Sequence, residues 1–120
     1  MDFQSINEPY LRKQFKGDEE ILLEMIILFQ ENMYKLLDGI RTSIEVQDAI
    51  QLRINAHTFK GIMRGFYADQ SEKMAYALEK GATSANFSEA TIILHKLEDH
   101  LMLFIYDLHR LKKSLNEQSI

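Results

Sequence analysis

Cysteine is absent from the 120 residues, which excludes disulfides, thiolate nucleophiles and cysteine-ligated metals and fits a reducing compartment. Proline occurs once and glycine five times, too little turn chemistry for a sandwich or barrel of many short strands. A basic excess is missing as well. With a formal net charge of -4, the chain offers no overall surface for a phosphate backbone, so nucleic acid is not an expected partner. Apolar runs such as Ile26-Ile27-Leu28-Phe29 fall far short of the roughly 20 residues of a membrane span. The N-terminus carries Asp2 and Gln4 rather than a basic and then apolar leader. We therefore expect a cytoplasmic protein with no membrane partner. No glycine-rich phosphate loop appears, so ATP-dependent kinase activity has no visible nucleotide site, and no serine or cysteine triad can be assembled.

What is present reads as helix. Hydrophobic residues make up 46% of the chain and charged residues 27%, enough for one compact core but not two, so residues 1–120 are expected to form a single domain. Asn7-Glu8-Pro9 supplies a cap and a first-turn proline for a short leading helix that Gly17 follows. Asp18 can cap a long second helix, in which Leu22, Ile26, Phe29, Met33, Leu36 and Ile40 alternate steps of four and three. The phase breaks around residues 45–48. A third helix then carries Leu52, Ala56, Phe59, Met63 and Phe66 on one face and ends near Gly65. Asp69 with Glu72 resembles a capping box ahead of a fourth helix bearing Met74, Ala75 and Leu78, which Gly81 can terminate. Asn86 with Glu89 repeats the device before a last helix with Ala90, Leu94, Leu97, Leu101, Phe104, Leu108, Leu111 and Leu115 in the same rhythm. Residues from Asn116 onward are expected to fray. The architecture that buries these stripes most simply is all-α: an antiparallel up-and-down four-helix bundle with a short N-terminal covering helix. Each stripe then has an internal partner, so a monomer is expected.

One segment breaks the pattern. In Ala56-His57-Thr58-Phe59-Lys60-Gly61, helical rotation of about 100° per residue sends His57 away from the core, beside Arg53, Lys60, Gly61 and Arg64. A glycine inside a helix costs about 0.5–1 kcal/mol relative to alanine, and a solvent-facing site offers no packing in return. Close approach of another molecule beside His57 would account for it. Ile50 and Ile54 share this side and are open to two readings, burial under the leading helix or an apolar docking patch.

Ala56-His57-Thr58-Phe59-Lys60-Gly61 resembles the A-H-x-L-K-G signature of histidine-containing phosphotransfer (HPt) domains. Gly17-Asp18-Glu19-Glu20-Ile21-Leu22, Leu28-Phe29 and Leu78-Glu79 also look like that family. The resemblance implies a phosphoryl carrier in a two-component phosphorelay. His57 would take the group from the aspartate of one response-regulator receiver domain and hand it to that of another. Lys60 would offset charge on the phosphoryl oxygens, and Gly61 would leave room for the docking partner. Ile50, Arg53, Ile54 and Arg64 would meet the receiver, and the upstream partner would be a hybrid sensor histidine kinase. No cofactor is expected on this chain, because the Mg²⁺ ion and acidic residues would belong to the receiver. The chain would thus be a carrier rather than an enzyme. An imidazole nitrogen is a competent nucleophile near neutral pH, so exposure to the partner suffices.

The pattern departs after Lys60-Gly61. Small residues usually follow, with a glycine about ten positions after the histidine; here Ile62 and Met63 follow, Tyr67 stands at the glycine position, and Gly65 comes two places early. The competing function is an HPt-like adaptor or inhibitor that binds a kinase or receiver and is never phosphorylated. A metal site is not expected: His95 and Asp99 are four apart, but the E-x-x-H pairs of di-iron bundles are missing, and His100 and His109 suit solvated or helix-end roles. The methionines fall mostly on apolar stripes and read as core.

Overall fold

Asn7 accepts a hydrogen bond from the Tyr10 amide at 3.2 Å and so starts α1 (Glu8–Gln14), as a short polar side chain ahead of a first-turn proline should. Gly17, at φ 86°, turns the chain into α2 (Glu19–Glu45). Asp18 occupies the cap position of α2 but makes no side-chain cap bond. Asp48 does, accepting from the Gln51 amide at 3.0 Å and opening α3 (Ala49–Gly65). In this computed structural model, which describes residues 3–118, α4 (Asp69–Thr83) and α5 (Phe87–Gln118) complete an all-helical chain, with no strand among the described residues.

One turn recurs at the ends of α2, α3 and α4. Two residues beyond each helix the chain turns left-handed, at Gln47 (φ 54°), Tyr67 (φ 55°) and Ala85 (φ 54°). Six-residue bonds close the loops: Asp48 N to Ser43 O, Ala68 N to Met63 O and Asn86 N to Gly81 O. This is the Schellman arrangement, which satisfies the last helical carbonyls and ordinarily favours glycine at the left-handed position. It corrects two expectations. Gly81 does not terminate α4 but lies inside it; Ala85 takes the left-handed position. Asp69 and Glu72 form no capping box, because Ala68 is the cap residue and Glu72 is drawn to Arg64 instead. Asn86 and Glu89 do bond reciprocally: Asn86 Oδ1 accepts from the Glu89 amide at 3.1 Å, and its Nδ2 donates to Oε2 at 3.0 Å. The helix expected to fray from Asn116 continues to Gln118; Ser119 and Ile120 lie outside the described residues.

Helix α2 packs on α3, α3 on α4, α4 on α5 and α5 on α2, so the four longer helices close a ring around one continuous core. The apolar stripes of α3 and α5 are buried as their spacing requires. On α2 the stripe runs through Leu37 rather than Leu36, which is only half-buried. Phe29 meets Phe59, Phe66 and Phe104 edge-on, with centroids 5.2 to 6.3 Å apart, the geometry that the ring quadrupoles favour. At 1.5 Å per residue α5 is about 48 Å long and spans the 49 Å long axis of the molecule.

Because α3 and α4 are shorter, the leading segment covers the end of the core that they leave. Asn7 N donates to Tyr67 O at 3.0 Å, Tyr10 stacks edge-on against Tyr67, and buried Asp107 accepts from the Gln4 and Ser5 amides and the Ser5 hydroxyl. This anchorage lies at the C-terminal end of α3, roughly 25 Å along the helix from Ile50. The leading helix therefore does not cover Ile50 or Ile54, which are 69% and 46% exposed. No helix among the described residues is long and apolar enough to cross a membrane.

Candidate functional site

Ala56, Phe59 and Met63 are fully buried against the core, and this fixes the rotation of α3. His57, one position round from Ala56, consequently stands on the outer surface with its side chain 66% exposed. The ring is not free to turn. Its Nδ1 lies 3.0 Å from Oε1 of Glu79 on α4. A carboxylate only accepts, so this contact assigns the proton to Nδ1 and leaves the lone pair on Nε2.

The second carboxylate oxygen of Glu79 faces Lys60, whose Nζ is 2.8 Å away, close but not aligned as a hydrogen bond. Lys60 sits one turn beyond His57, and its side chain is only 14% exposed. Its ammonium also lies 5.1 Å from the centre of the Tyr76 ring, with Lys80 at 5.5 Å from the same ring. Tyr76 thus adds a cation–π attraction that helps hold Lys60 down. Partial burial works against ionisation of Glu79, but Lys60 and then His57 outweigh it and hold the carboxyl below its usual range. The site thus joins an imidazole, a carboxylate and a lysine side chain in one chain of contacts.

Two of the three cations that share the His57 side are thus paired with carboxylates on α4. Lys60 is paired with Glu79, and Arg64 is paired with Glu72 at 2.8 Å. Arg53 remains exposed on the His57 side. What the spacing did not bring forward is the acidic member on α4. A signal existed. With the turn centred near Tyr67, an antiparallel α3–α4 hairpin brings position 57 close to position 79, and Glu79 follows the buried Leu78 at the edge of its stripe.

On the other side of His57, α2 and α3 part to form a groove of about 1080 Å³ whose surface is mainly apolar. Thr58, Gly61, Ile62 and Gly65 line it from α3, with Leu28 and Gly39 among those opposite. A Cβ built on Gly61 meets nothing within 4 Å, and one on Gly65 meets only Met25 Cε at 3.9 Å. Neither glycine is required by internal packing. Ile62, a departure from the usual small residue, is part of the groove wall. Tyr67 adopts the left-handed conformation at the place where glycine was expected.

His95 and His109 are exposed on α5 and His100 is half-buried; no three His, Asp or Glu side chains among the described residues are grouped to hold a metal. Ile50, Arg53 and Ile54 lie exposed on the turns of α3 before His57, while Lys60, Gly61 and Arg64 lie on those after it. All seven proposed residues therefore belong to one helix, and α4 supplies the carboxylate that organises two of them. No family model matches the chain, and no curated protein or solved structure matches it either.

Proposed function

We propose that this chain is a histidine phosphotransfer protein, a cytoplasmic antiparallel four-helix bundle that carries a phosphoryl group on His57 between receiver-domain aspartates in a two-component phosphorelay. The observation that carries the reading is the exposed imidazole whose Nδ1 is engaged by Glu79. Nε2 would then be the nucleophile, on a ring whose side chain is 66% exposed. The ring of packed neighbours α2, α3, α4 and α5, joined by short turns, supports the bundle.

The receiver would seat against the α2–α3 groove and the exposed Ile50 and Ile54, with Gly61 allowing its backbone close to the ring. Arg53 would steer its acidic pocket. Lys60, one turn from His57, would turn from Glu79 to the arriving phosphoryl oxygens, exchanging one charge-assisted contact for another. The receiver would bring the Mg²⁺ ion, and a hybrid sensor kinase would supply phosphate upstream. The chain needs no nucleotide site and is not itself an enzyme.

The second reading, an adaptor that binds a kinase or receiver without being phosphorylated, draws on the same groove and on the commitment of Lys60 to Glu79. The discriminating experiment incubates wild type and His57→Gln with phosphorylated receivers and assays acid-labile phosphate. Label on wild type and none on the variant is expected. Equal label on both removes His57 from the mechanism, and stable complex formation without label on either favours the adaptor.

A further inference from the structure

We propose that the outer face of α5 binds a second copy of this chain, back to back, so that the two His57 sites face away from each other. This does not depend on the phosphotransfer reading. The stripes that form the core are satisfied internally, which is why a monomer was expected, but a second and smaller apolar surface lies on the opposite side of α5. Met102, Leu103 and Tyr106 are exposed there, Met102 at 68%. Tyr34 of α2, 74% exposed, joins them. The bonds from Arg41 to Glu98 at 2.8 Å and from Lys112 to Gln30 at 3.4 Å set α2 antiparallel beside α5 and bring Tyr34 level with Tyr106. Singly exposed hydrophobic residues are ordinary, whereas four large ones gathered along one seam mark a contact surface. Arg110, which could put a cation in the patch, is folded back beside Asp107 and over the Phe3 ring, 4.5 Å from its centre.

The symmetry of the sequence about Phe104 identifies the occupant. Met102 and Tyr106 lie two residues to either side of Phe104, and Asp99 and His109 lie five to either side. A two-fold axis across α5 at that level sets Met102 against Tyr106 of the second copy and Tyr106 against its Met102, a thioether–aromatic contact made twice. The same axis sets each Asp99 against His109 of the other copy, where the imidazole can donate to the carboxylate in either protonation state. Asp99 and His109 are exposed, and neither makes a hydrogen bond or ion pair among the described residues. Ten residues of helix, about 15 Å, keep them from meeting within one chain. A parallel copy would instead oppose Asp99 to Asp99 and His109 to His109. Farther out, His95 meets Lys113 without attraction, so the contact is confined to about three turns. It is smaller than the roughly 800 Å² per partner of stable complexes, and the dimer therefore forms reversibly at high concentration. The α2–α5 seam lies across the ring of helices from the α3–α4 seam that holds His57. Both imidazoles stay accessible in the dimer.

Sedimentation equilibrium of the full chain over a wide concentration range tests this. Wild type should pass reversibly from the 14.1 kDa monomer toward twice that mass. Met102→Glu and Tyr106→Glu place a charge in the contact at exposed helical positions, so each should hold the chain monomeric while leaving its far-ultraviolet circular dichroism unchanged. Asp99→Lys and His109→Glu should each weaken association roughly fivefold, the upper range for an exposed ion pair. The D99K/H109E double variant should recover it, because the exchanged charges attract only between copies. The absence of cysteine permits a direct check of direction: M102C and Y106C, mixed and oxidised, should cross-link to each other more than either does to itself. Wild type that stays monomeric at millimolar concentration overturns the proposal and leaves the patch to a different protein. Association that survives both M102E and Y106E overturns it by placing the dimer elsewhere, and a double variant that associates no more tightly than the single ones overturns the antiparallel pairing.

Discussion

Replacing Gly61 with alanine separates the folding role of this residue from its role in docking. Gly61 lies inside α3 without a positive φ, and an added Cβ meets no heavy atom within 4 Å. Alanine therefore brings no clash and removes the glycine penalty, a gain of about 0.5–1 kcal/mol. For a chain of 120 residues, an unfolding entropy of about 0.25 kcal/mol/K converts this gain to a rise of roughly 2–4 °C in Tm. Gly81 is a matched control: it lies within α4, an added Cβ is equally unopposed, and it lies outside the groove. Thermal unfolding of G61A and G81A should show similar stabilisation. Phosphoryl transfer from a phosphorylated receiver should behave differently. A methyl group forced between α3 and a closely seated partner acts as overpacking, about 1–3 kcal/mol, so G61A should transfer at least fivefold more slowly whereas G81A keeps its rate. If G61A is no more stable than wild type, the open space beside Gly61 has been misjudged. If G61A is stabilised yet transfers as fast as G81A, no partner approaches there and the docking argument is refuted.

The remaining expectations concern stability and its pH dependence. Gln47→Gly and Ala85→Gly should each raise stability by roughly 0.5–1 kcal/mol in denaturant titration, because both residues are exposed and left-handed and glycine carries no Cβ penalty there. Tyr67→Gly should fail to stabilise despite the same φ, since it removes the ring stacked on Tyr10; a gain equal to that of A85G would show that this contact contributes nothing. Phe104→Ala should cost about 3–5 kcal/mol by opening a cavity at the centre of the aromatic cluster. Asp107→Ala should cost about 1–3 kcal/mol by stranding the donors of Gln4 and Ser5, with faster amide exchange at residues 4–7 as its local sign. The Glu79 carboxyl is held below its usual value of 4.5 in the folded protein, so its ionised form stabilises the fold. That contribution is complete above the unfolded value and is lost as pH falls through the folded one. Wild type should therefore be more stable than E79Q near neutral pH, with the gap closing in acid; a gap independent of pH would place the effect in packing rather than charge.

Much of the fold was legible because burial imposes a period. The stripe from Ala90 to Leu115 holds its rhythm over most of α5, and every named residue in it is buried. Asn7 and Asn86 were readable as caps because a short polar side chain has few other uses ahead of a helical stripe. The ends of α2, α3 and α4 were less visible. Each is closed by backbone hydrogen bonds around Gln47, Tyr67 or Ala85, and none of these residue types signals a left-handed turn. The glycine expected to stop α4 stands inside it, so glycine position and helix termination are uncoupled there. Leu36 and Leu37 show the converse: both are apolar, and only packing decides which is buried.

The site was half legible for a related reason. Periodicity along α3 places His57 outside and Gly61 beside it, since both follow from the burial of Ala56, Phe59 and Met63. It cannot reveal what α4 sets opposite them, because a charge on another helix leaves no mark in the period of this one. The difference changes the chemistry. A histidine among three free cations would be disfavoured from holding any positive charge, whereas one hydrogen-bonded to a carboxylate has a defined tautomer before reaction and a counter-charge after it. Lys60 and His57 face the two oxygens of one carboxylate, Glu79, so withdrawing Lys60 toward a phosphoryl group would leave more of the carboxylate's field to the ring. In the proposed transfer, charge arriving on Nε2 and charge retained on Nδ1 would be stabilised together, a coupling that depends on α3 and α4 being packed side by side.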